Sequence, residues 1–200
     1  MTDHPLINNK KYPSRKSHRL PEYDYSNTGY YFVTICIRDR KCILGNITND
    51  TVQLNDAGKI IEDMWQELPV RFLNIELGEF VVMPNHIHGI IMIMDQIKDV
   101  GATSGRPRTR SITLGSIMGY FKHQSAKRIN ILHNTLGRSL WQRSFYDHVI
   151  RNDMDLLRVQ EYISNNPLQW SLDEENPDHK KGRPEVAPTH IMNILSADHP

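Results

Sequence analysis

Phe80-Val81-Val82-Met83-Pro84-Asn85-His86-Ile87-His88-Gly89-Ile90-Ile91-Met92-Ile93-Met94 is the most informative segment of the chain. The run is almost wholly apolar and ends in Ile-Ile-Met-Ile-Met, which is the composition of a buried strand. Met83-Pro84-Asn85 interrupts it with a turn short enough to make the two halves a hairpin, Phe72 to Val82 and His86 to Met94. Side chains two apart in a strand point to the same face, so His86 and His88 project side by side while Ile87 turns away. Neutral imidazole is the commonest protein ligand for a metal, and two on one rigid strand supply half of a site. On its own a bare His-x-His more often marks partly buried histidines satisfied by backbone acceptors; a second stretch shifts that balance.

The second informative stretch is Leu156-Leu157-Arg158-Val159-Gln160-Glu161-Tyr162-Ile163-Ser164-Asn165-Asn166-Pro167. Asn152 and Asp153 suit the start of a helix, and Leu156, Val159 and Ile163 recur at helical spacing. Pro167 cannot continue the helix and biases Asn166 away from helical geometry. Tyr162 and Asn166, four apart, share a face in the last turn. Taken alone, Tyr162 is a half-buried aromatic on a sheet; beside a His-x-His strand it becomes a candidate nucleophile.

Working outward, Tyr30 to Ile37 reads as a first strand. Asn55 or Asp56 caps a helix to about Leu68, with Ile60, Ile61, Met64, Trp65 and Leu68 on one face. Residues 95–110 form a loop without periodicity. Ser111 or Thr113 opens a helix to about Ile131, and 139–150 is strand-like and turn-like. The order βαββαβα predicts an α+β fold. It is a ferredoxin-like, split-βαβ antiparallel sheet, with helices on one face and a C-terminal helix bearing Tyr162. Helices on one face leave the other free for the histidines. Residues 1–20 read as a flexible basic arm, 21–170 as the domain, and 171–200, acidic and proline-rich with few apolar groups, as a disordered tail.

The 200 residues are 38% hydrophobic and 24% charged, ordinary for a globular chain, and no apolar run is long enough to span a bilayer. Two cysteines, Cys36 and Cys42, stand in no Cys-x-x-Cys pattern and suit a reduced cytoplasmic setting. The net charge of +1 conceals a segregation: residues 101–152 hold nine basic residues against a single acid, Asp147. One-sided charge of that density favours a polyanionic partner, with Lys122, Arg128 and Arg143 as candidate phosphate contacts.

Together the histidine strand and the tyrosine helix resemble the single-tyrosine HUH transposases, in particular the REP-associated tyrosine transposase branch. The resemblance extends over roughly residues 13–170. It includes Arg19-Leu20-Pro21, Tyr30-Tyr31-Phe32-Val33-Thr34-Ile35, Met83-Pro84-Asn85-His86-Ile87-His88, Leu140-Trp141-Gln142-Arg143-Ser144-Phe145-Tyr146-Asp147-His148 and the Tyr162-Ile163-x-x-Asn166-Pro167 setting. It implies Tyr162 as nucleophile, His86, His88 and Asn166 as metal ligands, and attack on single-stranded or hairpin DNA with a 5′-phosphotyrosine and a free 3′-hydroxyl. It also implies a homodimer. An imidazole–amide site with open positions suits Mg²⁺ or Mn²⁺ better than closed structural zinc. Tyr146, near Arg143 and His148, is the rival nucleophile but lacks a partner at helical spacing. A histidine-triad nucleotide hydrolase is excluded, because that pattern wants a third histidine at position 90, where the chain has Ile90. The remaining rival is a noncatalytic nucleic-acid-binding module on the same fold.

Overall fold

A computed structural model describes residues 23–95, 112–173 and 175–177. The elements in chain order are β1 (Gly29–Cys36), β2 (Gly45–Thr48), β3 (Thr51–Leu54), α1 (Asp56–Gln66), α2 (Leu68–Arg71), β4 (Ile75–Val82), β5 (His86–Ile93), α3 (Leu114–Leu132), β6 (Tyr146–Ile150) and α4 (Asp153–Asn165). The main sheet runs β4-β5-β1-β6 with every neighbouring pair antiparallel. β1 and β4 are thus parallel and separated by β5, which is the split-βαβ arrangement expected of the sequence. The side chains expected to cap the helices do so: Asn55 accepts from the Gly58 amide, Thr113 and Ser116 form a reciprocal capping box, and Asn152 accepts from the Asp155 amide.

The two faces of the sheet carry different loads. Tyr31, Val33 and Ile35 of β1 and Ile87 and Ile91 of β5 face α1 and α3, meeting Ile61, Met64, Trp65, Ile117 and Phe121 in the main core. Phe32 and Ile90 point the other way and pack with Ile150 of β6 and Val159 and Ile163 of α4. Gly89 makes the first core possible. A Cβ there would lie 2.4 Å from the Trp65 ring, which stacks on Phe80 with centroids 4.5 Å apart.

Three expectations are corrected. A small hairpin, β2–β3, occupies 45–54, which the sequence reading had passed over; Asn49 and Asp50 turn it with φ of 50° and 56°. The histidine face is not open, because α4 and the segment following it lie across that side of the sheet. Residues read as the beginning of a disordered tail are packed: Glu175 is 3% and Asn176 8% exposed, held by bonds from Asn85 to the Glu175 carbonyl and from Asn176 to the Trp170 carbonyl. The arm at 1–20, the loop containing Arg106, Arg108 and Arg110, and 178–200 lie outside the described residues.

Candidate active site and metal centre

His86 and His88 sit on central strand β5, paired in register with Cys36 and Thr34 of β1. They are 0% and 1% exposed, and their Nε2 atoms are 2.9 Å apart. Burial lowers both imidazoles below their ordinary range. For His86 the Asp173 carboxylate partly opposes that fall while Arg40 adds to it, and for His88 the neighbouring His86 adds to it. Two neutral rings with adjacent Nε2 atoms are in the form that binds a metal.

Tyr162 reaches the same point from α4. The helix is pinned at its start by Asp155, which accepts from His148 Nε2 at 2.9 Å and from the Arg151 amide at 3.2 Å. Two residues before the tyrosine, Gln160 donates to Glu79 of β4 at 2.8 Å. Both ties join the helix to the edge strands and so fix which face of α4 meets the sheet. The Tyr162 hydroxyl lies 3.3 Å from His88 Nε2, and its ring packs against His88 and Phe32 with centroids 5.1 and 6.0 Å away. Burial raises the phenol well above its ordinary range, the Asp173 charge pushes it the same way, and a hydrogen bond from Asn166 pulls it back.

Asn166 caps α4 and is 3% exposed. Its Oδ1 is buried with no hydrogen-bond partner among the described residues, and the same is true of Asp173 Oδ2. Asp173 Oδ2 lies 3.6 Å from His86 Nε2, and one ligand atom each from His86, His88 and Asp173 fall within 4.8 Å of one another. Two buried, unsatisfied oxygens beside two imidazole nitrogens cost stability as they stand, so the donor set fits a divalent cation. His86, His88 and Asn166 were candidates from the sequence. Asp173 was missed, because it lies in a stretch with little apolar content; the only local signal is Trp170 and Leu172 just before it.

The remaining candidates divide. Tyr146 packs on Phe32 at 6.3 Å, and burial with the charges of Asp147 and Asp155 pushes its hydroxyl up to about 12. The Lys122 ammonium donates to the carbonyls of Gln142, Arg143 and Ser144 at 2.6, 3.0 and 3.2 Å, so it braces the 142–144 loop. Arg128 makes a bidentate pair with Glu67 at 3.1 and 2.7 Å. Arg143 has an exposed side chain.

A Haemophilus influenzae protein named as a REP-associated tyrosine transposase is 25% identical over 151 residues, covering 73% of this chain and 74% of the relative. The chain is similar to this REP-associated tyrosine transposase over most of its length. An uncharacterised H. influenzae protein is 38% identical over 167 residues, covering 80% of the chain and 92% of that relative. The fold is similar to the solved structure of a REP-associated tyrosine transposase bound to a REP hairpin, with a TM-score of 0.52 and 21% identity over 77% of this chain and 73% of that one. No family model matches the chain. Similarity to REP-associated tyrosine transposases supports a DNA-processing, transposase-type role. Among the described residues no helix is long and apolar enough to cross a membrane.

Proposed function

We propose that the protein is a metal-dependent, single-stranded DNA nicking and rejoining enzyme that acts through a covalent 5′-phosphotyrosine at Tyr162. The observation that carries this reading is the convergence of the Tyr162 hydroxyl on His88 Nε2 at 3.3 Å, with His86 Nε2 a further 2.9 Å away. A noncatalytic module has no reason to bury a phenol against two imidazoles and two unsatisfied oxygens. In the reaction the Tyr162 oxygen forms a bond to phosphorus as the bond from phosphorus to the 3′-oxygen breaks. The phenol loses its proton and the departing oxygen gains one. Because the ester conserves the phosphodiester bond energy, a 3′-hydroxyl of another strand can reverse the step and rejoin.

Mg²⁺ or Mn²⁺ held by His86, His88, Asp173 and Asn166 would supply Lewis-acid charge for the phosphate. The chain's own part is placement. Phe32, Val159 and Ile163 hold the tyrosine ring on the sheet, and burial keeps its oxygen protonated and inert until positive charge is brought beside it. The REP hairpin bound by the solved relative supports hairpin-forming DNA as the partner. Arg143 is the candidate phosphate contact whose charge is not taken up by an internal ion pair or carbonyl cage. A reducing, cytoplasmic location agrees with two free cysteines.

The alternative is a catalytically silent DNA- or RNA-binding protein that retains the fold. It draws on the near-complete burial of both histidines beneath 170–177. Incubation with a labelled single-stranded hairpin oligonucleotide and Mn²⁺, resolved on a denaturing gel, separates the two. The enzyme gives a covalent adduct that Tyr162→Phe abolishes while binding stays within a few-fold. Tight binding with no adduct favours the silent module, and an adduct lost only in Tyr146→Phe moves the nucleophile to β6.

A further inference from the structure

We propose that Asn85 is a positioning residue that fixes the tautomer of His86, and that Thr34 lets His88 exchange its tautomer when a cation binds. Asn85 immediately precedes β5 and is 1% exposed. Its amide nitrogen faces two backbone carbonyls, those of Arg40 at 3.0 Å and Glu175 at 2.6 Å. Carbonyls only accept, so both amide hydrogens are committed and the side-chain oxygen is the atom 2.8 Å from His86 Nδ1. That oxygen also only accepts. His86 must therefore carry its proton on Nδ1, which leaves a lone pair on Nε2 aimed at the site. The 39–40 backbone that presents one carbonyl turns with φ of 60° and 52° at Asp39 and Arg40, a conformation side chains resist. Asn85 thus ties together three segments: the start of β5, this strained turn and the backbone at Glu175.

The partner ring follows from the first. With a lone pair on His86 Nε2, the 2.9 Å contact to His88 Nε2 needs a hydrogen from His88. Metal-free His88 is then the Nε2–H form, and its Nδ1 accepts from the Thr34 hydroxyl at 2.8 Å. A cation between the rings requires both Nε2 atoms bare, so the His88 hydrogen must pass to Nδ1. Thr34 can serve both states because a hydroxyl donates or accepts by rotating. His86 is set in advance by an amide that cannot adapt; His88 is set by a hydroxyl that can. Outer partners of this kind orient ligating histidines and tune their basicity.

The proposal rests on the metal-centre reading, and one experiment tests the two separately. Long-range ¹H–¹⁵N correlation of the histidine rings, on the full ¹⁵N-labelled chain without metal, should find Nδ1–H on His86 and Nε2–H on His88. Addition of Zn²⁺, a diamagnetic probe, should move His88 alone to Nδ1–H. Asn85→Ala should release His86 to the Nε2–H form and weaken Mn²⁺ binding, read by electron paramagnetic resonance, by about 10- to 100-fold. Asn85→Asp keeps an acceptor facing His86, so it should retain the Nδ1–H form even though its bonds to Arg40 and Glu175 are lost. Nε2–H on His86 in the parent protein, or the same tautomer in Asn85→Ala and the parent, overturns the assignment whether or not metal binds. Zn²⁺ that shifts neither ring overturns the metal reading beneath it.

Discussion

Replacing Asp173 by alanine separates the cost of the metal-free site from the gain of the occupied one. In the structure Asp173 Oδ1 accepts from the Glu175 amide at 2.7 Å, while Oδ2 is buried without a hydrogen-bond partner among the described residues. Losing the first bond costs about 1 kcal/mol, and removing the second, unsatisfied oxygen returns about 1–3 kcal/mol. The metal-free variant should therefore melt close to the parent or slightly above it. The occupied state behaves differently. Mn²⁺ at about 100 times its dissociation constant stabilises the parent by about 2.7 kcal/mol. At about 2–4 °C per kcal/mol for a chain of this size, that is a rise of about 5–10 °C. If loss of the carboxylate weakens binding about 100-fold, the same Mn²⁺ concentration leaves only about 0.4 kcal/mol, or about 1 °C. Differential scanning fluorimetry of both proteins across a Mn²⁺ series, with a chelator control, measures all four values. A Mn²⁺-dependent rise that is undiminished in Asp173→Ala would refute the assignment of this residue to the cation, and a metal-free variant that melts far below the parent would refute the reasoning about its buried oxygen.

Metal-free protein should lose stability as pH falls below 6.5, because both histidines are held below that ordinary value by burial and so bind fewer protons folded than unfolded. Denaturant midpoints at pH 7.5 and 5.5 measure the loss, and a loss no smaller in His88→Gln would assign it elsewhere. Affinity for a hairpin oligonucleotide should fall with salt at about −0.7 in log–log slope per phosphate contacted, as read by fluorescence anisotropy. Arg143→Ala should flatten that slope, whereas Arg128→Ala, which only frees Glu67, should not; equal effects from the two would remove Arg143 as a contact. Gly89→Ala should destabilise the fold by about 1–3 kcal/mol through overpacking against the indole of Trp65, measured by chemical denaturation, and a neutral result would mean that β5 shifts freely there.

The sequence made most of the sheet legible because its core strands obey local rules. Period-2 placement of His86 and His88, the proline turn between β4 and β5, and capping residues at 55, 113 and 152 are all decided by neighbours within a few positions. Tyr162 and Asn166 were legible for the same reason, being four apart on a helix with a proline stop. The β2–β3 hairpin was equally local, an Asn49-Asp50 turn between Ile47-Thr48 and Thr51-Val52, but its strands of four residues each are too short for alternation to stand out. Asp173 and Asn85 belong to a different class. Among the described residues, Glu175 and Asn176 are held by amides, carbonyls and the ion pair of Arg40 with Glu175 at 2.9 Å, and polar docking leaves no periodic trace. A polar composition therefore reads as disorder when its partners lie some 90 residues away.

That difference bears on how the site can work. An apolar strap would hold the histidines by burial alone, whatever occupies the centre. The strap here is held in part by Asn85, whose amide donates to the Glu175 carbonyl while its oxygen faces His86 Nδ1, so its attachment and the occupancy of the centre are energetically linked. Tyr162 is not part of that fastening; its ring is secured by Phe32 and the apolar stripe of α4 on the sheet side. The proposed nucleophile is therefore preorganised on a rigid apolar base, whereas the charge that would activate it is set among exchangeable polar contacts. For chemistry that must both break and restore the same bond, this division places the attacking oxygen before substrate arrives and leaves the polar side of the site able to rearrange around it.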